Sequence, residues 1–301
     1  MARTILALLP LAALLPACIE VETRELSAEL PASWASALRV TNGFGAVTVT
    51  GVDDLDAVQV RAQGQVPADA GELFTLSEAD GVITVEGLVL SGLVTSEVTL
   101  ELRAPSRLAV ELRSLVGDVR VERVSALYLE AGPGALTVRE VAGCANLTDG
   151  NGDLVVEGIG GDLVLTDGTG DAAICDVAGA VDIVDGNGDL SLCGVVGDAV
   201  IVDGTGDLEL MGIGGAADVV DGTGDTYLGD VGGDVTLWDG TGEIWVQDVL
   251  GGAVIVDGTG DIALYRIGGA VEITDGTGDI ITEEVGEVTV TLDGTGEVSA
   301  S

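Results

Sequence analysis

Apolar residues alternate with polar or small ones along the second half of the chain, in short pairs that recur every nine residues. Ile262 and Leu264, for example, are followed nine residues later by Val271 and Ile273. Alternation with a period of two is typical of a strand that buries one face. The pattern therefore predicts a repeat unit that consists of two short strands joined by two turns.

The first of the two turns carries the sequence Asp-Gly-Thr-Gly-Asp or a close variant. Its glycines accept positive φ angles and its Asp can bond its own backbone, so the pentapeptide predicts a tight turn. A fixed short period without insertions is typical of a solenoid, in which each repeat stacks on its neighbours. The leading Asp, named position 1 below, stands at residues 149, 167, 185, 203, 221, 239, 257, 275 and 293.

We therefore predict an all-β fold, a parallel β-solenoid (β-helix or β-roll like) of 18-residue two-strand coils with an N-terminal β-strand cap region. Successive coils should lie about 4.8 Å apart. Position 11, which is Val or Ile in every complete coil, should fill the second corner. In the last full coil Val288 and Val290 occur one position early, so its register should be irregular.

The patterns divide the chain into four segments. Residues 1–17 are predicted to be a lipoprotein signal peptide, and 18–36, which are polar and contain Pro31, a tether. Residues 37–112 form an N-terminal β region of short strands without a strict repeat. Residues 113–301 form the β-solenoid, which is imperfect until residue 149. The early strands should cap one end of the stack, because a bare coil exposes unpaired backbone.

The N-terminus carries a targeting signal. Arg3 precedes an apolar run, residues 5–15, that is too short to span a bilayer. The Leu-Pro-Ala-Cys that ends at Cys18 resembles a bacterial lipobox, which implies cleavage before Cys18 and a lipid on its sulfur. In lipobox proteins an Asp at the following position is tied to inner-membrane retention, so the resemblance, with Ile19 there, implies the outer membrane. We therefore expect a cell-envelope, outer-membrane lipoprotein that meets the membrane through its lipid and faces the periplasm or the surface.

Composition narrows the range of functions. The formal net charge is −40, and an acidic surface of this kind repels nucleic acid, so no nucleic-acid partner is expected. The chain contains no histidine, which excludes nucleophile–base pairs of the Ser/His or Cys/His type. Polysaccharide-cleaving β-helices can use Asp residues alone, but they usually build the site from longer coils with loops, which this repeat lacks. We therefore predict a protein that is not an enzyme.

Two cysteines occupy equivalent places in adjacent coils. Cys175 and Cys193 are separated by one full repeat, and both stand at position 9. Stacking should bring their Cα atoms to about 4.8 Å, which is within the range of a disulfide. Export would allow such a bond to persist. The alternative is that both are small apolar residues in a ladder, as free Cys often is.

The acidic turn residues allow two interpretations. Position 5, like position 1, is acidic in every repeat. In the first interpretation position 1 caps its own turn and position 5 is solvated. In the second, carboxylates of successive coils share Ca²⁺, with Asp203, Asp207, Asp221 and Asp225 as candidate ligands. The spacing differs from that of the nonapeptide calcium roll, which favours turn capping. No cofactor is required, and Ca²⁺ is the one the pattern would accept.

Aromatic residues are few and fall close together. Tyr227 and Trp245 stand at position 7 of adjacent coils and should face outwards, with Trp238 near. Such rings could bind a sugar. The alternative, which we favour, is that they pack across coils and stabilise the sheet.

One stretch brings a resemblance. The segment Val-Thr-Leu-Glu-Leu-Arg-Ala-Pro, residues 98–105, precedes coils of the form Gly-Asp-Val-x-Val at 117–121. Over residues 38–301 this layout resembles the bacterial “putative adhesin” β-solenoid domains, which carry Ser-Gly-Asp-Ile-type repeats and often occur on lipoproteins. The resemblance implies an envelope β-solenoid. In this chain Asp replaces the usual Ser or Thr before the turn glycine.

From these observations we expect a non-catalytic, lipid-anchored cell-envelope β-solenoid that acts as a surface structural or adhesion-type binding module. Its partner would be a surface glycan or a protein. A Ca²⁺-stabilised binding rod that uses the stacked Asp ladders is an alternative, and a polysaccharide-active β-helix enzyme is a weaker one.

Overall fold

The structure is a computed structural model that describes residues 21–88 and 97–300. Every regular element in these ranges is a β-strand. No helix long and apolar enough to cross a membrane occurs in them. The predicted signal peptide and Cys18 lie outside the described residues, so cleavage and lipidation stay predictions.

Each 18-residue unit folds as one coil of two strands. In the unit that begins at Asp203, the strand Leu208–Ile213 is followed by a turn and by the strand Ala217–Asp221. Leu208 pairs in parallel with Thr226, its equivalent in the next unit. The parallel β-solenoid predicted from the repeat is confirmed.

The strands, numbered in chain order, form two sheets that face each other across the core. The N-terminal strands are β1 (Val21–Pro31), β2 (Ala37–Phe44), β3 (Val47–Val52), β4 (Ala57–Pro67), β5 (Phe74–Ala79), β6 (Val82–Gly87) and β7 (Glu97–Pro105). The later odd-numbered strands are β9 (Val119–Val124), β11 (Leu136–Val141), β13 (Leu154–Ile159), β15 (Ala172–Val177), β17 (Leu190–Val195), β19 (Leu208–Ile213), β21 (Thr226–Val231), β23 (Ile244–Val249), β25 (Ile262–Ile267), β27 (Ile280–Val285) and β29 (Val298–Ala300). The later even-numbered strands are β8 (Ala109–Val116), β10 (Ala126–Ala131), β12 (Ala145–Thr148), β14 (Leu163–Thr166), β16 (Val181–Val184), β18 (Ala199–Val202), β20 (Ala217–Asp221), β22 (Val235–Asp239), β24 (Ala253–Asp257), β26 (Val271–Thr277) and β28 (Val288–Thr295).

The N-terminal end of the stack departs from chain order. The odd sheet runs β1-β4-β7-β3-β9 and then through the odd strands to β29, and the even sheet runs from β28 down to β8-β2-β6-β5. Strands β2 and β3 therefore form a coil directly beneath β8 and β9. Beyond that coil, β4 and β5 pair antiparallel with β7 and β6, which ends the parallel stack. The N-terminal cap predicted from the sequence is present.

The prediction of a tether over 18–36 is wrong for residues 21–31, which form a strand. Strand β1 occupies residues 21 to 31 and pairs antiparallel with β4 along its whole length. Leu26, Ala28 and Leu30 on one face pack against the core. This period-two pattern is present in the sequence, but it is short and lies outside the 18-residue repeat. The predicted boundary at 112/113 also falls inside β8, so the structure has no break there.

The core is a line of aliphatic side chains between the two sheets. Positions 6, 8, 15 and 17 point inwards, and position 11 fills a corner as predicted. In one coil these residues are at most 1% exposed: Leu208, Leu210, Ile213, Ala217 and Val219. Burying a Leu, Ile or Val side chain contributes about 1.5–3 kcal/mol, so every coil adds a similar increment.

Position 10 bends each odd strand into the corner. Asp230 and Arg266 have φ angles of 56°, and Gly212 has 71°, all in the left-handed region. The cross-strand pairing skips this residue, so that positions 8 and 11 both face the core. Side chains at positions 9 and 10 are consequently both directed away from the core. This bend creates the outward surface described below.

The last full coil is irregular in the predicted way. Val271 pairs with Val288 and Ile273 with Val290, one position short of a full repeat, whereas Thr274 pairs with Leu292, a full repeat further on. The register shift lies between Ile273 and Thr274. One residue of β28 therefore forms a bulge, and beyond it Asp293 again pairs with Asp275, a full repeat away.

Candidate functional site

The position-1 Asp residues lie inside the turns rather than on the surface. One oxygen of each of several carboxylates accepts a backbone hydrogen bond from its own turn. Asp149 accepts from the N–H of Gly150 at 2.9 Å, and Asp239 from the N–H of Thr241 at 3.2 Å. These bonds are the turn caps expected in the first interpretation. The described side chains at position 1 are only 1–7% exposed: Asp149, Asp167, Asp185, Asp203, Asp221, Asp239, Asp257 and Asp275.

Burial changes the acid–base behaviour of the position-1 carboxylates. The Oδ2 atoms of Asp149, Asp167, Asp239 and Asp257 are buried without a hydrogen-bond partner among the described residues. Loss of solvation disfavours the charged form, and neighbouring carboxylates add to the effect. Burial raises the pKa to about 6 for Asp149, Asp167, Asp185 and Asp239, and to about 7 for Asp203 and Asp257.

The position-5 acids do more than remain in solvent. The backbone N–H of Asp207 donates to Asp189 Oδ1 of the previous coil at 2.9 Å, and that of Asp225 donates to Asp207 Oδ1 at 3.1 Å. The acids at position 14 repeat this contact in the second turn, where the N–H of Ala216 donates to Asp198 Oδ1 at 2.9 Å. Exposed Asp carboxylates at these two positions thus join many of the successive coils.

The four candidate calcium ligands are not brought together into one site. Asp203 and Asp221 are buried inside the turn, whereas Asp207 and Asp225 lie exposed on its outer side. Within the described ranges, no group of three or more His, Cys, Asp or Glu residues is arranged to hold a metal ion. Calcium binding by these residues stays a prediction.

The two position-9 cysteines meet across adjacent coils. Cys175 and Cys193 pair in register, with their Cα atoms 4.6 Å apart, and are joined as a disulfide in the structure. Cys144, at position 14, is exposed and has a free thiol.

The aromatic residues form a patch whose partners differ from those expected. Trp245 stacks on Tyr265, at position 9 of the next coil, with ring centroids 4.9 Å apart and planes at 27°. The residue directly beside Trp245 in that coil is Ala263, which leaves room for the indole to lean towards Tyr265. Trp238 lies on β22, in the even sheet, and is not part of the patch.

Gln247 connects the aromatic residues. Its Nε2 donates to the Tyr227 hydroxyl at 2.6 Å, and its Oε1 accepts from Trp245 Nε1 at 3.5 Å and from an Arg266 N–H at 3.4 Å. Gly229 stands directly beside Gln247 and has no side chain to obstruct the reach to Tyr227. We call Tyr227, Trp245, Gln247, Tyr265, Arg266 and Asp248 the Trp245 patch.

The cation of the patch is paired. Arg266 is the only Lys or Arg between residues 149 and 301. Its Nε and NH2 groups donate to the two oxygens of Asp248 at 2.5 and 2.7 Å. This bidentate bond lowers the pKa of Asp248, so the carboxylate stays ionised.

An open groove continues from the patch along the corner. It has a volume of about 930 Å³ and includes Asp248 and Arg266 in its lining. Val196 and Leu250, which are 69% and 78% exposed, also line it, together with backbone at Gly214 and Gly232. The patch and the groove therefore share two residues and form one outward surface.

Sequence reasoning did not identify Gln247, Tyr265 and Arg266. Position 9 varies from coil to coil, so Gln247 and Tyr265 carry no signal in the repeat itself. Arg266, however, is an outlier, because position 10 is otherwise Gly or an acid from residue 149 onwards. This one departure from the repeat, next to the aromatic positions, would have indicated the patch.

No protein-family model and no curated protein matches this chain. Solved structures with similarity include a “putative adhesin” from Parabacteroides merdae, at 12% identity and a TM-score of 0.36, covering 92% of this chain and 95% of that one. A “putative cell adhesion protein” from Clostridium sporogenes has 9% identity and a TM-score of 0.34, covering 63% and 99%. A “putative lipid binding protein” from Parabacteroides distasonis has 13% identity and a TM-score of 0.31, covering 89% and 97%. The resemblance noted in the sequence thus extends to solved structures.

Proposed function

We propose that this chain is a non-catalytic, lipid-anchored β-solenoid of the cell envelope that acts as an adhesion-type binding module. The observation that supports this function best is the Trp245 patch. An exposed aromatic stack, an oriented amide and a paired cation occur together on the outward face of consecutive coils. The coils themselves contain only strands and tight turns, so the patch lies on a rigid surface of the solenoid.

The placement of the acids supports a non-catalytic role. Glycosidases need two carboxyl groups that flank the scissile bond, about 5–10 Å apart. The position-1 carboxylates face the core, and those at positions 5 and 14 accept backbone hydrogen bonds from the next coil. The Asp carboxylates at all three positions thus contribute to the structure of the coils.

The position of the cap supports the proposed anchoring. Strand β1 begins at Val21, three residues after Cys18, and forms the edge of the odd sheet at the capped end. A lipid on Cys18 would hold that end at the membrane. The coils that carry the Trp245 patch would then project away from it.

The anchor and the binding function are tested separately. Wild-type chain and Cys18→Ser, expressed with their own leader, are compared by flotation of membranes; wild type should float and the variant should be released. Adhesion of cells that display wild type, Trp245→Ala or Trp238→Ala is then measured against isolated envelopes. Trp245→Ala should lose adhesion and Trp238→Ala should retain it. A wild-type chain in the soluble fraction contradicts the anchor, and equal adhesion of both variants contradicts the binding role of the patch.

A further inference from the structure

The Trp245 ring remains open to solvent on the side of the stack that Tyr265 does not cover. Trp245 is 44% exposed although it stacks on Tyr265. An aromatic side chain placed only to stabilise the sheet would gain more from complete burial, because stabilisation grows with the apolar area removed from water. Apolar rings fixed in place at a surface are typical of binding sites that use their faces.

The polar groups beside Trp245 are held in fixed orientations. Gln247 is positioned by three side chains, and Arg266 by both oxygens of Asp248. Each group keeps unused capacity: the amide has a second N–H, the carboxylate has further lone pairs, and the guanidinium has further N–H groups. These remaining N–H groups and lone pairs can bond the hydroxyls of a sugar ring, which both donate and accept.

The charge around the patch selects against anions. Arg266 is neutralised by Asp248, and Asp230 and Glu284 occupy the equivalent position 10 of nearby coils. The local field is therefore negative, as it is for the chain as a whole, and an acidic ligand would be repelled. A ligand with many hydroxyls and no charge satisfies the polar groups without this penalty.

On these grounds, and resting on the proposed binding function, we propose that the Trp245 patch is a subsite for a neutral glycan. One pyranose ring stacks on the exposed part of Trp245, and its hydroxyls bond to Gln247, Asp248 and Arg266. The groove that continues past Leu250 holds the next sugar residues of the same glycan. An oligosaccharide should therefore bind better than a single sugar.

The test uses the full chain released by Cys18→Ser. The probes are neutral hexaoses of β-1,4-linked glucose, mannose and N-acetylglucosamine, their monosaccharides, and a hexamer of galacturonic acid as the anionic control. Binding is followed by isothermal titration calorimetry and by tryptophan fluorescence. At least one neutral hexaose should bind, more tightly than its monosaccharide, and the anionic hexamer should not.

Variants show whether the patch is responsible. Trp245→Ala should weaken hexaose binding about tenfold or more, which corresponds to the loss of about 1.4 kcal/mol. Gln247→Ala should weaken it as well. Trp238→Ala, which removes a comparably exposed indole from the other sheet, should leave it unchanged. Circular dichroism melts of each variant verify that the coils remain folded.

The outcomes separate this inference from the proposed function. If no neutral hexaose binds, or if Trp245→Ala and Trp238→Ala bind equally well, the glycan subsite is wrong. Should envelope adhesion still depend on Trp245 in that case, the binding module stands and its ligand belongs to another class. Stronger binding of the galacturonic acid hexamer than of the neutral hexaoses also overturns the proposal.

Discussion

Thr226 and Asp221 form a hydrogen bond inside the first turn, where both side chains are buried. The Thr226 hydroxyl donates to Asp221 Oδ2 at 3.0 Å. Position 6 is aliphatic in the other repeats, and Thr226 is the exception. The Thr226 hydroxyl thus supplies a donor to the inward oxygen of Asp221, which would otherwise lack one. Burial raises the pKa of Asp221, and the bond from Thr226 opposes this rise.

The first prediction concerns this bond. Thr226→Val keeps the shape and removes the hydroxyl, so the ionised Asp221 loses a buried donor. The free energy of unfolding should fall by about 1.5–3 kcal/mol at pH 8, because a hydrogen bond to a charged group contributes about that much. At pH 5, where Asp221 is more protonated, the loss should be smaller. Urea denaturation at both pH values measures the difference, and an equal loss at the two pH values would contradict the assignment.

The second prediction concerns the whole set of buried position-1 carboxylates. Its folded pKa values, about 6 to about 7, lie above the ordinary value of 3.8. Stability from such groups is fully present below the unfolded pKa and is lost as pH rises through the folded pKa. The rod should therefore melt at a higher temperature at pH 5 than at pH 8 in low salt. Exposed Asp248, whose pKa is lowered by Arg266, acts in the opposite direction, but it is a single residue.

Calcium distinguishes the two interpretations of the Asp files. If carboxylates of successive coils share Ca²⁺, adding it at pH 8 should raise the melting temperature by mass action, and a chelator should reverse the rise. Turn capping alone predicts no effect beyond that of matched ionic strength. A melting temperature that is higher at pH 8 than at pH 5, with chelator present, would contradict the raised pKa values of the buried position-1 carboxylates.

The third prediction tests which side of the strand faces inwards. Leu210 is fully buried and its neighbour Glu209 is exposed. Leu210→Asp places a carboxylate between coils without a partner and should cost roughly 3–5 kcal/mol. Glu209→Ala should change stability by no more than about 0.5 kcal/mol. Denaturant midpoints of the two variants provide the measurement; comparable losses would show that the orientation of β19 is wrong.

The repeat predicts the core better than it predicts the surface. The 18-residue period alone places Leu210 and Ile213 inside, because each strand has one face that must be buried. It does not show that Asp189 accepts the N–H of Asp207, since that bond depends on how the turns of two coils are offset. The partner of Trp245 was missed because Tyr265 is a diagonal neighbour in the next coil, which only long side chains reach. Strand β1 was missed because the alternation of Leu26, Ala28 and Leu30 is short and lies outside the 18-residue repeat.

The last prediction separates two reasons for glycine in the coils. At Gly206, φ is 144° and an added Cβ would lie 1.8 Å from the carbonyl oxygen of Gly188 in the previous coil. At Gly212, φ is 71° and nothing lies closer than 3.6 Å to an added Cβ. Gly212→Ala should therefore cost only the left-handed strain, about 1–2 kcal/mol.

Gly206→Ala forces two backbones apart at the spacing that the whole stack shares. It should cost several kcal/mol, because neither coil can move without breaking its own ladder. Equilibrium urea unfolding of both variants, followed by circular dichroism, compares the two losses directly. If Gly206→Ala were no worse than Gly212→Ala, the close contact between successive turns would be absent. The Asp-Gly-Thr-Gly repeat would then be explained by turn conformation alone.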